Sequence, residues 1–461
     1  MSGRRDHAPT VLVAALSSAF GTGLFGVTDV LVATVRADDM WGQSDAMQII
    51  LTIVSAVFIA IAVYVSGVVT VNTVATVVAG RTREIALTRL LGATAGSRRR
   101  ILAREGLVAG LVGALLGVAV GAGLVIGGTR LAVLAGALPD LDYPALSPLA
   151  LPLAGLVALT TWVAAWVGTR RVLDVSPIAA LAAAGPADGD EVRRRRGRRA
   201  VAIVSVALGS LLLVGALVVG MQDASGMLIG VVGGIVSFTG VVIGAVFVVP
   251  IVLRGVGALL GRGAAARVGA ANATRYPERS SRSTIGLIIG VTLVTTFIVA
   301  GSTLGEMIRV KSAATFGSTE PVDGLLAQLM GVFGVLVGYS ALIAAVGLVN
   351  ALTVGVLQRT REFGLLRALG FSRSQVRATV IAEASTLTIT AVVCGLVLGI
   401  LYGWIGANSL FASELGRLAP PVVPWWLVVG VAAVAAVLTI VASLVPARRA
   451  AALSPVVALA A

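Results

Sequence analysis

The sequence predicts an all-α polytopic membrane protein of ten transmembrane helices in a four-plus-two-plus-four arrangement. Three observations predict it. Of 461 residues, 57% are hydrophobic and only 12% are charged, with a mean hydropathy of +1.01, whereas soluble domains carry about 25% charged residues. Ten stretches are long and apolar enough to cross a bilayer, which takes roughly 20 residues at about 1.5 Å of rise each. One polar segment also occurs twice, RTREIALTRLLG at 81–92 and RTREFGLLRALG at 359–370.

The stretches lie near residues 11–33, 48–79, 105–128, 149–168, 200–220, 227–253, 285–304, 326–357, 380–404 and 425–446. The first follows Arg4 and Arg5 but runs to Leu31, too long for the apolar region of a secretory signal, so it reads as a retained span. The second and eighth exceed what a bilayer requires and are expected to project into the cytoplasm. The third carries Gly113, Gly117 and Gly121, and the sixth Gly230 with Gly234 and Gly240 with Gly244. Such small-xxx-small faces let helix backbones approach closely and read here as intramolecular packing, with homodimerisation the lesser alternative. The fifth follows a basic linker, Gly185 to Arg199, and the ninth holds Cys394.

The duplication extends well beyond one segment. Asn72 and Asn350, Arg83 and Arg361, Glu105 and Glu383, and Pro177 and Pro455 are each separated by 278 positions. Across 81–93 and 359–371, eight of thirteen positions are identical, where unrelated segments would share about one. Spans 1–4 therefore form one unit (residues 1–184) and spans 7–10 its repeat (285–461), with a basic linker, a two-span insert and a cytoplasmic loop between them (185–284). Each part has an even number of spans, so the repeats are parallel. They can pack about a pseudo-twofold axis along the membrane normal, with a central path between the halves.

With the N-terminus inside, cytoplasmic segments carry 30 of the 35 Lys and Arg residues; Arg36, Arg130, Arg309, Lys311 and Arg417 remain outside. That bias places both termini in the cytoplasm. It also accounts for the net charge of +14 as topogenic anchoring against anionic lipid rather than nucleic-acid binding. The outer segments are short and acidic, with Asp38, Asp39, Asp45, Asp140, Asp142, Glu320 and Asp323, and read as solvated loops.

Chemistry on the chain itself is narrowly bounded. One cysteine, Cys394, and one histidine, His7, make neither a Cys/His metal cluster nor a nucleophilic triad. The only lysine is Lys311, assigned to an outer loop, so the lysine of a phosphate-binding loop is missing and an ATPase site is not expected here. The spans hold essentially no ionisable residue apart from Asp29 near the outer end of the first, which disfavours an ion-coupled carrier.

The duplicated segment predicts a cytoplasmic helix-turn-helix. Gly92 and Gly370 are placed to end the first helix in a left-handed conformation. Thr94 and Ser372 are suitable N-caps for the next. The first helix is amphipathic. Arginine anchoring at the interface explains such a helix, but its duplicated polar residues favour a protein partner. Ser176-Pro177 and Ser454-Pro455 have a local explanation as N-cap and first-turn proline of short helices.

These motifs resemble those of the FtsX/MacB-like permeases of ATP-binding cassette transporters, in a ten-span fused form. The likeness rests on the Arg-Glu-Ile/Phe-Ala/Gly-Leu-x-Arg-x-Leu-Gly motif after a long second helix, and on Arg170-Arg171 before Ser176-Pro177, repeated as Arg448-Arg449 before Ser454-Pro455. The resemblance implies docking on a nucleotide-binding subunit through Arg83, Glu84, Arg89, Gly92, Arg361, Glu362, Arg367 and Gly370. It further implies two copies of a cytoplasmic P-loop ATPase that carry the ATP and Mg, no cofactor on this chain, and a bacterial plasma membrane. A large extracytoplasmic domain, usual in several such families, has no place in this sequence. A lipophilic or amphipathic substrate drawn from the bilayer, or an extracytoplasmic partner, fits better. Asn72, Asn350, Tyr339 and Ser340 are candidates to line the path, although interhelical hydrogen bonding explains them equally. The alternatives are a transmitter controlling a cell-envelope partner and an ion-coupled carrier.

Overall fold

A computed structural model describes residues 8–37, 45–80, 94–173 apart from 137 and 145, 189–260, 277–317 and 370–452, with isolated positions between 324 and 341. Among these residues there are nine long helices and no strand. They are α1 (Ala8–Arg36), α2 (Asp45–Gly80), α3 (Ala95–Leu134), α4 (Ala150–Leu173), α5 (Gly189–Gly220), α6 (Gly226–Leu260), α7 (Pro277–Phe316), α8 (Arg373–Leu415) and α9 (Trp425–Ala452). Seven of them, all except α2 and α9, are long and apolar enough to cross a membrane. The other two carry the shorter apolar stretches Thr52–Val65 and Trp425–Val437. The protein is thus a polytopic α-helical membrane protein. Nine of the ten stretches marked in the sequence fall in these helices, and the tenth, 326–357, lies largely outside the described residues.

Backbone-to-backbone packing ties the helices in pairs. Gly113, Gly117 and Gly121 of α3 lie directly against α1: a Cβ at Gly113 would stand 2.5 Å from the Val11 carbonyl, one at Gly121 2.8 Å from that of Ala19, and one at Gly117 would run into that of Ala15. The same solution joins α8 to α7, where Gly403 faces the Thr296 carbonyl at 2.7 Å and Gly395 faces Val291 at 2.6 Å. A third pair, α5 and α6, closes through Gly209 on the Ser237 backbone and Gly240 on Val206. In lipid, where hydrophobic burial supplies no force between helices, such contact maximises dispersion and brings polar groups within reach. Gly234 departs from the expected packing role, for no atom lies within 4 Å of the place its Cβ would take.

The turns obey local chemistry. Thr94 caps α3 by accepting from the Ser97 N–H at 3.2 Å. Ser372 caps α8 in a reciprocal box with Gln375, which satisfies two otherwise orphaned donors. Between α5 and α6, Ser225 hydrogen-bonds the Asp223 carboxylate through its side chain and through its N–H at 2.7 Å, holding that carboxyl below its ordinary range. Next to the α3 cap, the Arg99 guanidinium stacks 3.6 Å from the centre of the Trp166 ring, and its Nε donates to the Trp166 carbonyl at 3.3 Å. That is an interfacial arginine–aromatic anchor.

At the opposite end the helices run further than hydropathy indicated. α3, α7 and α8 continue to Leu134, Phe316 and Leu415, so Lys311 sits on a helix and not in a loop. Its Nζ donates to the Glu414 carbonyl at 2.7 Å and lies 3.5 Å from the Glu414 carboxylate. Gly416, at φ +66, ends α8. The chain that follows is held by Asn408, which accepts from the Ala419 N–H at 2.7 Å and donates to its carbonyl at 3.2 Å, while Trp404 donates to that carbonyl at 2.7 Å. The apolar runs stop short, and these polar contacts accompany the helices beyond them.

Candidate functional site

Where α2, α6, α7 and α8 face one another, they leave a cavity of about 200 Å³ lined almost wholly by apolar atoms. Helical periodicity supplies the α2 wall: Val54, Val57, Phe58, Ile61 and Val65 recur at three- and four-residue steps along one face, as a helix requires. α7 contributes positions from Ile289 to Leu304, roughly 22 Å of helix at 1.5 Å per residue. α6 contributes from Met227 to Phe238 and α8 from Tyr402 to Leu410. The cavity is consequently long and narrow, with its axis along the helices.

At the end away from the α5–α6 turn, three aromatic rings from three helices meet. Phe238 of α6 stands between Tyr64 of α2, at 6.4 Å and 80°, and Tyr402 of α8, at 6.3 Å and 68°. Both are edge-to-face arrangements that place a positive ring edge on a negative face. Each tyrosine hydroxyl is satisfied by α6: Tyr64 pairs with Thr239 at 2.8 Å, and Tyr402 with Ser237 at 3.0 Å. A further edge contact, Phe58 with Phe297 at 6.3 Å and 88°, joins α2 to α7. Polar character on the wall comes chiefly from Thr292 and Thr296. The Thr292 hydroxyl is buried and has no hydrogen-bond partner, although a helical threonine ordinarily returns its hydroxyl to a carbonyl one turn back. Among the described residues no group of His, Cys, Asp and Glu can hold a metal ion.

Of the sequence-derived path residues, Asn72 lies on α2, about two turns beyond the cavity-lining Val65; its side chain, together with Tyr339, Ser340 and Asn350, lies outside the described residues. So do Arg83, Glu84, Arg89, Gly92, Arg361, Glu362 and Arg367. Gly370 is described: it is exposed and takes φ +96, the left-handed conformation expected of a glycine ending a helix. Sequence reasoning missed Tyr64, Phe238 and Tyr402 as cavity residues and read Gly234 as packing; the one faint signal was aromatic residues in three different spans.

Comparison with known proteins places this geometry in context. The family profile described as FtsX-like permease C-terminal matches residues 56–177 and again 334–455, both ends displaced by the same 278 positions. The uncharacterized ABC transporter permease YknZ of Bacillus subtilis is 30% identical over 128 residues, 28% of this chain and 30% of that protein. The macrolide export ATP-binding/permease protein MacB of Nitrosomonas europaea is 32% identical over 126 residues, 27% of this chain and 18% of its own length. The pyoverdine export ATP-binding/permease protein PvdT of Pseudomonas entomophila is 31% identical over 126 residues, again 27% and 18%. The likeness therefore spans about a third or less of each of these relatives.

Proposed function

This chain belongs to the FtsX-like permease family, and from that premise we propose that it is the membrane-spanning subunit of an ATP-binding cassette transporter that exports, or extracts from the bilayer, a lipophilic or amphipathic substrate. The observation that carries this reading is the apolar cavity walled jointly by α2, α6, α7 and α8. A pocket of hydrocarbon character, at the meeting of helices from both matched segments, is a place for an apolar molecule and a poor one for an ion or a sugar.

The wider assembly follows from the repeat. Residues 1–184 and 285–461 form two parallel four-span units around an insert within 185–284, giving ten spans with both termini cytoplasmic in a bacterial plasma membrane. The helix-turn-helix elements around Arg83, Glu84, Arg89 and Gly92, and around Arg361, Glu362, Arg367 and Gly370, dock one P-loop ATPase each. Those two subunits carry the ATP and Mg. ATP binding draws them together and moves both docking elements, and α2 with its counterpart transmits the movement to the cavity wall. The Asn72 and Asn350 positions, with Tyr339 and Ser340, line the way between docking elements and cavity. Membrane lipid is the medium from which the substrate enters, and an extracytoplasmic partner receives it where one is present.

The test is gentle solubilisation of the tagged permease from its native membrane, with identification and counting of co-eluting proteins. A P-loop ATPase at two copies per permease is the expected result. Reproducible absence of any ATPase, under conditions that keep a known transporter complex whole, would overturn the reading.

A further inference from the structure

We propose that the inserted pair α5–α6 gauges the central cavity to one extended acyl chain of a membrane amphiphile, with Gly230 and Gly234 of α6 setting its bore. The inference rests on the reading of the cavity as the substrate's place, and it gives the insert a task.

Glycines in this protein are of two kinds. Gly113, Gly117 and Gly121 at the α1–α3 interface, and Gly399 and Gly403 at the α7–α8 interface, have neighbouring backbone less than 3 Å from the Cβ position, so close approach of two helices requires them. The cavity-lining glycines have room. No atom lies within 4 Å of a Cβ at Gly234; the nearest to one at Gly230 is the Ala216 Cβ at 3.4 Å, and to one at Gly406 the Met227 Cε at 3.9 Å. Packing does not call for glycine at these three places. What glycine leaves there is space, on α6 at Gly230 and Gly234 and on α8 at Gly406, in a lining otherwise built mainly from Val, Ile, Leu and Phe.

The shape of that space selects its occupant. The α2 and α6 walls each extend over twelve residues, Val54 to Val65 and Met227 to Phe238, or roughly 16 Å. Spread over that length, about 200 Å³ admits one extended hydrocarbon chain and not two side by side. Apolar cavities of this kind exclude water, which needs two to four polar partners. The wall presents almost no polar surface; even the Thr292 hydroxyl, on a residue 4% exposed and without a partner, is buried within it. Phe238, fixed between Tyr64 and Tyr402, ends the α6 wall.

The experiment uses the full chain in nanodiscs of phosphatidylethanolamine and phosphatidylglycerol, without an ATPase. A palmitate analogue bearing a terminal diazirine is photolysed, and its cross-links are mapped by mass spectrometry. Wild type is expected to label the α6 stretch 227–238 and the α8 stretch 402–410, together with outward-facing α5 around Leu211 as the annular-lipid reference. Gly234→Leu should reduce cavity labelling at least tenfold while the α5 signal stays constant. Gly123→Leu, at another glycine with open space around it, should change neither. Gly406→Leu fills the cavity from the opposite wall and gives an independent reading should the first variant fail to insert. Equal cavity labelling in wild type and both filled variants, or labelling of annular positions only, overturns the proposal. Because no ATPase is present, this labelling is independent of the co-purification test: failure to recover an ATPase from the native membrane would sink the transporter reading and leave chain binding standing, whereas loss of cavity labelling alone would overturn only the present proposal.

Discussion

The hydroxyl of Tyr64 on α2 lies 2.8 Å from that of Thr239 on α6, across 175 positions of sequence. The contact is one side of a bridge in which Phe238 and its flanking hydroxyls hold α2 on one side and α8 on the other. Removing only the hydroxyl should be mild, because Thr239 also donates to the Ile235 carbonyl: Tyr64→Phe is expected to cost about 1 kcal/mol or less. Phe238→Ala removes both ring contacts and should cost about 3–5 kcal/mol. Thermal unfolding of the two variants in one detergent tests the ordering, and equal losses would contradict the bridge.

Gly117→Leu should prevent correct assembly. Its Cβ would collide with the Ala15 carbonyl, and backbone on both sides leaves no flexible group to yield. Overpacking typically costs about 1–3 kcal/mol, more where nothing can move. Gly123→Leu, two turns away on an open face, should insert and elute as wild type does. Size-exclusion profiles separate the outcomes.

Glu84→Ala combined with Glu362→Ala is expected to uncouple the partner ATPase while the permease remains folded and inserted. Stimulation of ATP hydrolysis by the permease should fall at least tenfold. Unchanged stimulation would remove the docking assignment.

Asn408→Ala leaves the half-buried Ala419 N–H without its acceptor. An unsatisfied buried donor costs about 1–3 kcal/mol and a half-buried one lies toward the low end, so the variant should melt earlier and the 416–424 segment should become protease-sensitive. Lys311→Ala, by contrast, breaks an exposed pair and should change stability by under about 1 kcal/mol.

Orientation is open to direct measurement. In a Cys394→Ala background, Ser225→Cys is expected to react with an impermeant maleimide in intact cells, and Ser97→Cys only after permeabilisation. The reverse pattern would invert the topology.

Spans were legible in the sequence because a bilayer imposes one strong requirement, and 20 apolar residues in a row can answer little else. Thr94 and Ser372 were legible because capping depends on a few adjacent residues. The Gly113, Gly117 and Gly121 stripe was legible as packing, but its partner α1 was not, since many helices in a membrane bundle offer small residues. The cavity was the least legible part. Polarity drew attention to Asn72, whereas the wall on that same helix is made of valine, isoleucine and phenylalanine, the residues every span contains. The C-terminal extensions of α7 and α8 were hidden for a related reason: Lys311 and Glu414 are about one hundred residues apart in the chain, and only the folded pair shows why the helices persist.

The glycine-to-backbone contacts also limit how this molecule can change shape. α1 with α3, α5 with α6, and α7 with α8 behave as three laminated struts whose members cannot slide without lifting ridges over one another. Any stroke delivered to the bundle must then be absorbed where helices meet through side chains alone. That place is the seam lined by α2, α6, α7 and α8, so the chamber and the bearing on which the struts turn are one and the same.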